Sequence, residues 1–127
     1  MIALDTSALI AILRGETMAD DCARALGSEP QITISAATLA EALIVARGRG
    51  LEAEMIELLA RLPLEIFPVD EEAPWRISET HRRWGKGNHP AQLNIIDCFS
   101  HDVARTLDCP LLFVGNDFVR TDIASVL

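Results

Sequence analysis

Four acids in this chain stand where an acid is costly, and together they point to one kind of chemistry. Asp5 ends the apolar run Ile2-Ala3-Leu4 and is followed at once by the hydroxyls Thr6 and Ser7. Glu41 lies inside AATLAEALIVA, residues 36–46, and Asp97 inside LNIIDCFSHDVARTL, residues 93–107. Asp117 follows the apolar run LLFV, residues 111–114, in Gly115-Asn116-Asp117. A carboxylate among apolar neighbours loses hydration and is destabilising unless it is partnered. No Lys or Arg lies within a helical turn of Glu41 or Asp97. The nearest helix-register candidate for Asp97 is His101 at i+4, whose charge near neutrality depends on its surroundings. Glu41 has only Thr38 at i−3 and Val45 at i+4. The options left are a distant arginine, an opening to solvent, or a metal. A set of carboxylates without Cys or His suits a hard divalent cation, which would also relieve the repulsion among them. For Asp5 alone the alternative is a helix cap, since Asp, Thr and Ser all cap well.

The elements that must bring these residues together can be traced in order. Ile2–Leu4 reads as a buried strand with a helix starting directly after it. Residues 16–26 form a helix, with acids in its first turn and arginine in its last, and Gly27 is a plausible terminator. QITIS, residues 31–35, alternates like a strand. Ser35 caps a helix over 36–46, buried on most of its surface. Residues 51–62 place Leu51, Met55, Leu58, Leu59 and Leu62 on one face. LEIFPV, 64–69, is a strand that Pro68 puts at an edge. Asp70 caps a helix running through Trp75, Ile77 and Trp84. Residues 93–107 form a second mostly buried helix, LLFV a strand, and a short helix starts near Val119. The order β-α-α-β-α-α-β-α-α-β-α implies a three-layer α/β/α fold around a central, mainly parallel sheet, in a single domain over 1–127. Strand-end acids then share one edge of the sheet, where ligands bind in such folds.

Composition narrows the classes. With 19 acidic and 11 basic residues the formal charge is −8, so a nucleic acid would be repelled unless cations or a local basic patch intervene. Cys22, Cys98 and Cys109 are odd in number and lack CxxC spacing. They read as buried free thiols rather than a disulfide framework or a zinc site. No apolar stretch is long enough to span a bilayer and no signal peptide is visible. A cytoplasmic protein is expected.

The motifs resemble those of the PIN-domain ribonucleases, and among them the VapC toxins of bacterial toxin–antitoxin pairs. MIALDTSAL with Asp5 resembles the family's opening motif, TLAEALIVA with Glu41 its helix-borne glutamate, and LNIIDCFSHDVA with Asp97 its third acidic motif. LLFVGNDFVRTDI resembles the final strand and loop, where many relatives show G-D-D-F. Asn116 stands where one of those acids would be, and either Asn116 or Asp117 could fill the fourth position. We take Asp117, and read Asp122 as a surface or helix-capping acid. The resemblance implies an endoribonuclease dependent on Mg2+ or Mn2+, with Asp5, Glu41, Asp97 and Asp117 as catalytic and metal-holding residues. It implies a structured RNA substrate, tRNA above all, a cognate VapB-type antitoxin that inserts an arginine among the acids, and a homodimer. The helix over 51–62 could supply the dimer face, with core packing the equal alternative.

For RNA contacts, Arg82, Arg83 and Lys86, with His81 and His89 nearby, form the only strongly basic stretch. Arg14, Arg47 and Arg49 are further candidates. Trp75 and Trp84, at helical spacing, read as core or interface residues. Two rivals stand beside the nuclease. A phosphate-accepting Asp5 would want a second Asp in a D-x-D motif and a lysine at a late strand end. The chain offers DTSAL and, as its one lysine, Lys86. A non-catalytic PIN-type module acting through protein or RNA contacts would have no need of all four acids.

Overall fold

A computed structural model describes residues 1–127. Strand β1, Ile2–Leu4, is one of two inner strands of a four-stranded sheet ordered β3-β2-β1-β4. It pairs in parallel with β2, Ile32–Ser35, and on its other side with β4, Leu111–Leu112. The registers set Ile2 opposite Ile32 and Ala3 opposite Leu111. β3, Leu64–Phe67, pairs in parallel with β2 at the edge that Pro68 predicts.

Parallel neighbours need long crossovers, and helix pairs supply them. α1 (Thr6–Arg14) and α2 (Ala19–Ser28) lead from β1 to β2. α3 (Ala36–Gly48) and α4 (Glu52–Ala60) lead to β3, and α5 (Ala73–Trp84) and α6 (Ile95–Thr106) to β4. Side chains alternate across a strand, and the core divides accordingly. Ile2, Leu4, Ile32 and Ile34 pack with Leu9, Leu26, Ala42 and Met55 from α1 to α4. Ala3, Leu111 and Phe113 pack with Ile77, Cys98, Val103 and Ala104 from α5 and α6. The result is the expected α/β/α sandwich. No helix is long and apolar enough to cross a membrane.

Several local expectations are met. Ser35 accepts the Ala37 N–H as N-cap of α3. Asp70 Oδ1 accepts the N–H groups of Glu72 and Ala73 in the turn that leads into α5, although the N-cap itself is Glu72 and not Asp70. The apolar stripe of α4 is core, with Met55 fully buried and Leu51, Leu58, Leu59 and Leu62 packed beside it. All three cysteines are free.

Others need correction. The helix expected from Val119 does not form. That segment runs beside β4, with Leu111 N–H donating to Ala124 C=O and Val126 N–H to Leu111 C=O. α3 is not buried on most of its surface: only Thr38, Ala42 and Ala46 are buried, and Ile44 is 59% exposed. Its uniform apolarity conceals a single inward stripe. α6 begins at Ile95, so Asp97 lies in its first turn rather than deep inside it. Trp75 is 76% exposed and is no core residue, while Trp84 packs against the second cluster.

Candidate active site

Asp5 is the fixed point of the site. It follows β1, is 5% exposed, and serves as N-cap of α1. Its Oδ2 accepts the Ser7 N–H at 3.0 Å and the Ser7 hydroxyl at 2.6 Å. Its Oδ1 accepts the Ser100 hydroxyl at 2.6 Å. Ser7 Oγ also accepts the Val114 N–H at 3.0 Å, which ties the chain just after β4 to the end of β1. Both carboxylate oxygens are therefore held by short hydrogen bonds, Oδ2 from Ser7 two residues on and Oδ1 from Ser100, 95 residues away.

Around Asp5 a cavity of about 420 Å3 opens at the sheet's carboxyl edge, and its lining contains Glu41, Asp97 and Asp117. α3 delivers Glu41 one turn beyond Thr38, and α6 delivers Asp97 from its first turn. The loop after β4 delivers Asp117, while Asn116 is not in the lining. Glu16, Arg14, Arg49 and Asn94 also line this cavity. A groove of about 470 Å3 between α5 and α6 has no acid in its lining.

The acids feel one another. Burial pushes the Asp97 carboxyl up to about 7 against the opposing Asn94 backbone hydrogen bond, and the charges of Asp5, Asp117 and Glu41 push it further the same way. Glu41 is also raised, first by burial and then by the charge of Asp5, with the nearby Thr6 hydroxyl working against both. Like charges sharing a cavity favour protonation of one another, and a cation would reverse that. As placed, no three acids come together as a ready-made metal-holding group. The donor chemistry, all carboxylate oxygen, still fits a hard divalent ion.

Other expected residues lie elsewhere. Arg82 pairs with Glu79, Arg83 lies over the Trp84 ring, and neither they nor Lys86 line the cavity. Among the basic residues considered, Arg14 and Arg49 do line it, and neither forms an ion pair. Arg47 reaches Glu52 instead. His101 is not a partner for Asp97. It is fully buried and its Nε2 lies 2.8 Å from Asp122 Oδ1, so Asp122 is a tether and not a helix cap. Burial lowers the His101 pKa despite that partner, and the hydrogen bond from His101 holds Asp122 below the usual carboxylate range against its own burial.

Sequence reasoning missed Ser100 and Asn94. Both had a signal. Ser100 is three residues after Asp97 and shares its side of the helix. Asn94 is three before Asp97, the spacing of a capping box.

The family model described as PIN domain matches residues 2–124. The chain is 40% identical over 126 residues to a ribonuclease VapC of Mycolicibacterium smegmatis, covering 97% of this chain and 98% of that one. It is 36% identical over 126 residues to ribonuclease VapC30 of Mycobacterium tuberculosis, with 97% and 96% covered. Among solved structures, VapC20 of M. tuberculosis, described as a sarcin–ricin loop cleaving toxin, superposes with a TM-score of 0.79 at 18% identity, over 99% of this chain and 98% of that one. A toxin–antitoxin complex from Klebsiella pneumoniae gives 0.73 at 19%, over 96% and 93%.

Proposed function

Because the chain belongs to the PIN-domain family, and within it to the VapC ribonucleases, we propose that it is a toxin that cleaves structured RNA, tRNA first among the candidates, at the cavity around Asp5. The observation that carries this reading is the convergence of Asp5, Glu41, Asp97 and Asp117 on one cavity at the carboxyl edge of a parallel sheet.

These four carboxylates would hold Mg2+ or Mn2+, which when bound lowers the pKa of a coordinated water and offsets charge on the phosphodiester. The protein's own part is positioning and proton handling. Asp5, braced on both oxygens, is the rigid member. Burial and the neighbouring acids raise both Glu41 and Asp97 above the ordinary carboxylate value in the metal-free protein, and a carboxylate left unbound to the ion would orient the water or accept its proton. Arg14 and Arg49, on the same lining, are suited to the phosphate oxygens flanking the cleaved bond.

An acidic cavity is also a receptor for a guanidinium. We propose a VapB-type antitoxin as partner, blocking the cavity with an arginine, and a homodimer in the cytoplasm. With the α4 stripe consumed by the core, exposed Val69, Trp75 and Ile95 are the better dimer candidates.

The direct experiment is to incubate the purified chain with total RNA in Mg2+ or Mn2+ and map the new ends by sequencing, with Asp5→Asn and Asp97→Asn alongside. Discrete cleavage by the wild type alone is expected. Cleavage undiminished in either variant, or in EDTA, would sink the proposal.

A further inference from the structure

Beneath the acids lies a second layer of side chains, made of hydroxyls. Thr38 is fully buried and Ser100 is 1% exposed, whereas Glu41 and Asp97 are only partly buried. Their oxygens lie 3.0 Å apart, 62 residues apart in sequence. Each stands one helical turn inward from an acid, Thr38 three residues before Glu41 and Ser100 three after Asp97.

The direction of the hydrogen bonds follows from chemistry. An ionised carboxylate only accepts, so Ser100 gives its single hydroxyl hydrogen to Asp5 Oδ1. Ser100 Oγ can then only accept in its contact with Thr38, and Thr38 is the donor. The sequence Thr38 O–H to Ser100 O–H to Asp5 is a directed chain in which each bond polarises the next. The Thr6 hydroxyl, one residue past Asp5, reaches the Thr38 carbonyl at 3.3 Å and closes the joint.

We infer that Ser100 is a positioning residue for Asp5 and that Thr38 acts through Ser100, the two forming a buried joint that sets α3 and α6, and with them Glu41 and Asp97, at a fixed spacing around Asp5. α3 and α6 pack directly on one another, and this polar contact lies inside that packing. An apolar pair there would keep the helices together and release Asp5 Oδ1. The inference rests on the reading of Asp5 as a member of a cation-binding centre.

The test is titration calorimetry of the purified full chain with MnCl2, with thermal melting of each variant in the absence of metal. Asp5→Asn should abolish Mn2+ binding. Ser100→Ala should weaken it about tenfold, the scale for groups that orient a metal ligand. Thr38→Val should weaken it a few-fold while Thr38→Ser, which keeps the hydroxyl, binds as wild type. The double variant Thr38→Val/Ser100→Ala should bind no more weakly than Ser100→Ala alone, since a residue acting through another adds nothing once the other is gone. Wild-type affinity in Ser100→Ala where Asp5→Asn abolishes binding would overturn the inference and leave the centre standing, as would additive losses in the double variant. Wild-type affinity in Asp5→Asn would overturn the centre and this inference with it. Should Ser100→Ala fail to fold, equal affinities of Thr38→Val and Thr38→Ser would decide against it.

Discussion

Asn94 and Asp97 cap one another at the start of α6. The Asn94 side-chain oxygen accepts the Asp97 N–H at 2.8 Å, and Asp97 Oδ2 accepts the Asn94 N–H at 3.0 Å. One oxygen of a candidate metal ligand is thus also part of a helix terminus. Asn94→Ala should lower stability by about 1 kcal/mol, the usual loss for a helix cap, while Asn94→Ser keeps most of it. Urea denaturation of the three proteins checks this.

Removal of charge at the centre should act on chemistry far more than on folding. Asp5→Asn and Asp97→Asn are each expected to lower the rate of RNA cleavage by about a hundredfold or more, the scale on which a single charge-stabilising group acts. Circular dichroism should be unchanged. EDTA should abolish wild-type cleavage and excess Mg2+ restore it.

The pH dependence has a definite sign. Asp97 is pushed up to about 7 from an ordinary value of 3.8. Between these values the folded protein binds a proton that the unfolded chain gives up. The contribution is present at low pH and is lost as pH rises through about 7, where the ionised carboxylate faces the other acids. Metal-free protein should therefore lose thermal stability between pH 5 and 8 by a component that Asp97→Asn removes. Added Mn2+ should raise the melting temperature more at pH 8 than at pH 6, because a cation and a proton compete for the same carboxylates. Differential scanning fluorimetry across that range reads both effects.

A separate ion pair holds α5 to α6 away from the cavity. Arg76 Nε and a terminal guanidinium nitrogen reach the two oxygens of Asp102 at 2.9 and 3.1 Å, and the Asp102 side chain is 6% exposed. Arg76→Ala would leave a buried carboxylate unpaired. A loss of about 3 kcal/mol is expected, with Mn2+ affinity unchanged, by urea denaturation and calorimetry respectively.

The two basic groups should separate in a cleavage assay. Arg14→Ala and Arg49→Ala, on the cavity lining, should each lower kcat/KM roughly tenfold, as for one charge-assisted contact of about 1.5 kcal/mol. They should also flatten the salt dependence. Arg82→Ala should do little, since Arg82 is engaged with Glu79 at the surface.

How much of this was legible in the residues can be judged element by element. The strands and most helices were, because Ile2–Leu4 and 31–35 are short β-branched or apolar runs between clear turn signals. The four acids were legible because each interrupts an apolar run. What was not legible is what depends on partners remote in sequence. The segment after Val119 reads as a helix because nothing local announces its two hydrogen bonds to Leu111. α3 reads as deeply buried because Ile44 and Leu39 look alike in sequence, and only the packing of α6 and β2 decides which faces inward. The basic loop around Lys86 drew attention by its density of charge. Density says nothing of distance from the acids, and the arginines that line the cavity come singly from other elements.

The placement of β4 has a temporal side. β1 is made first, yet its second neighbour is residues 111–112, and Asp5 meets Ser100 across 95 positions of chain. During synthesis one flank of β1 stays bare until residues 111–112 are made, and Asp5 lacks one of its two hydroxyl donors until Ser100 is. In a nascent chain the carboxylate of Asp5 therefore waits for a hydroxyl partner made 95 residues later.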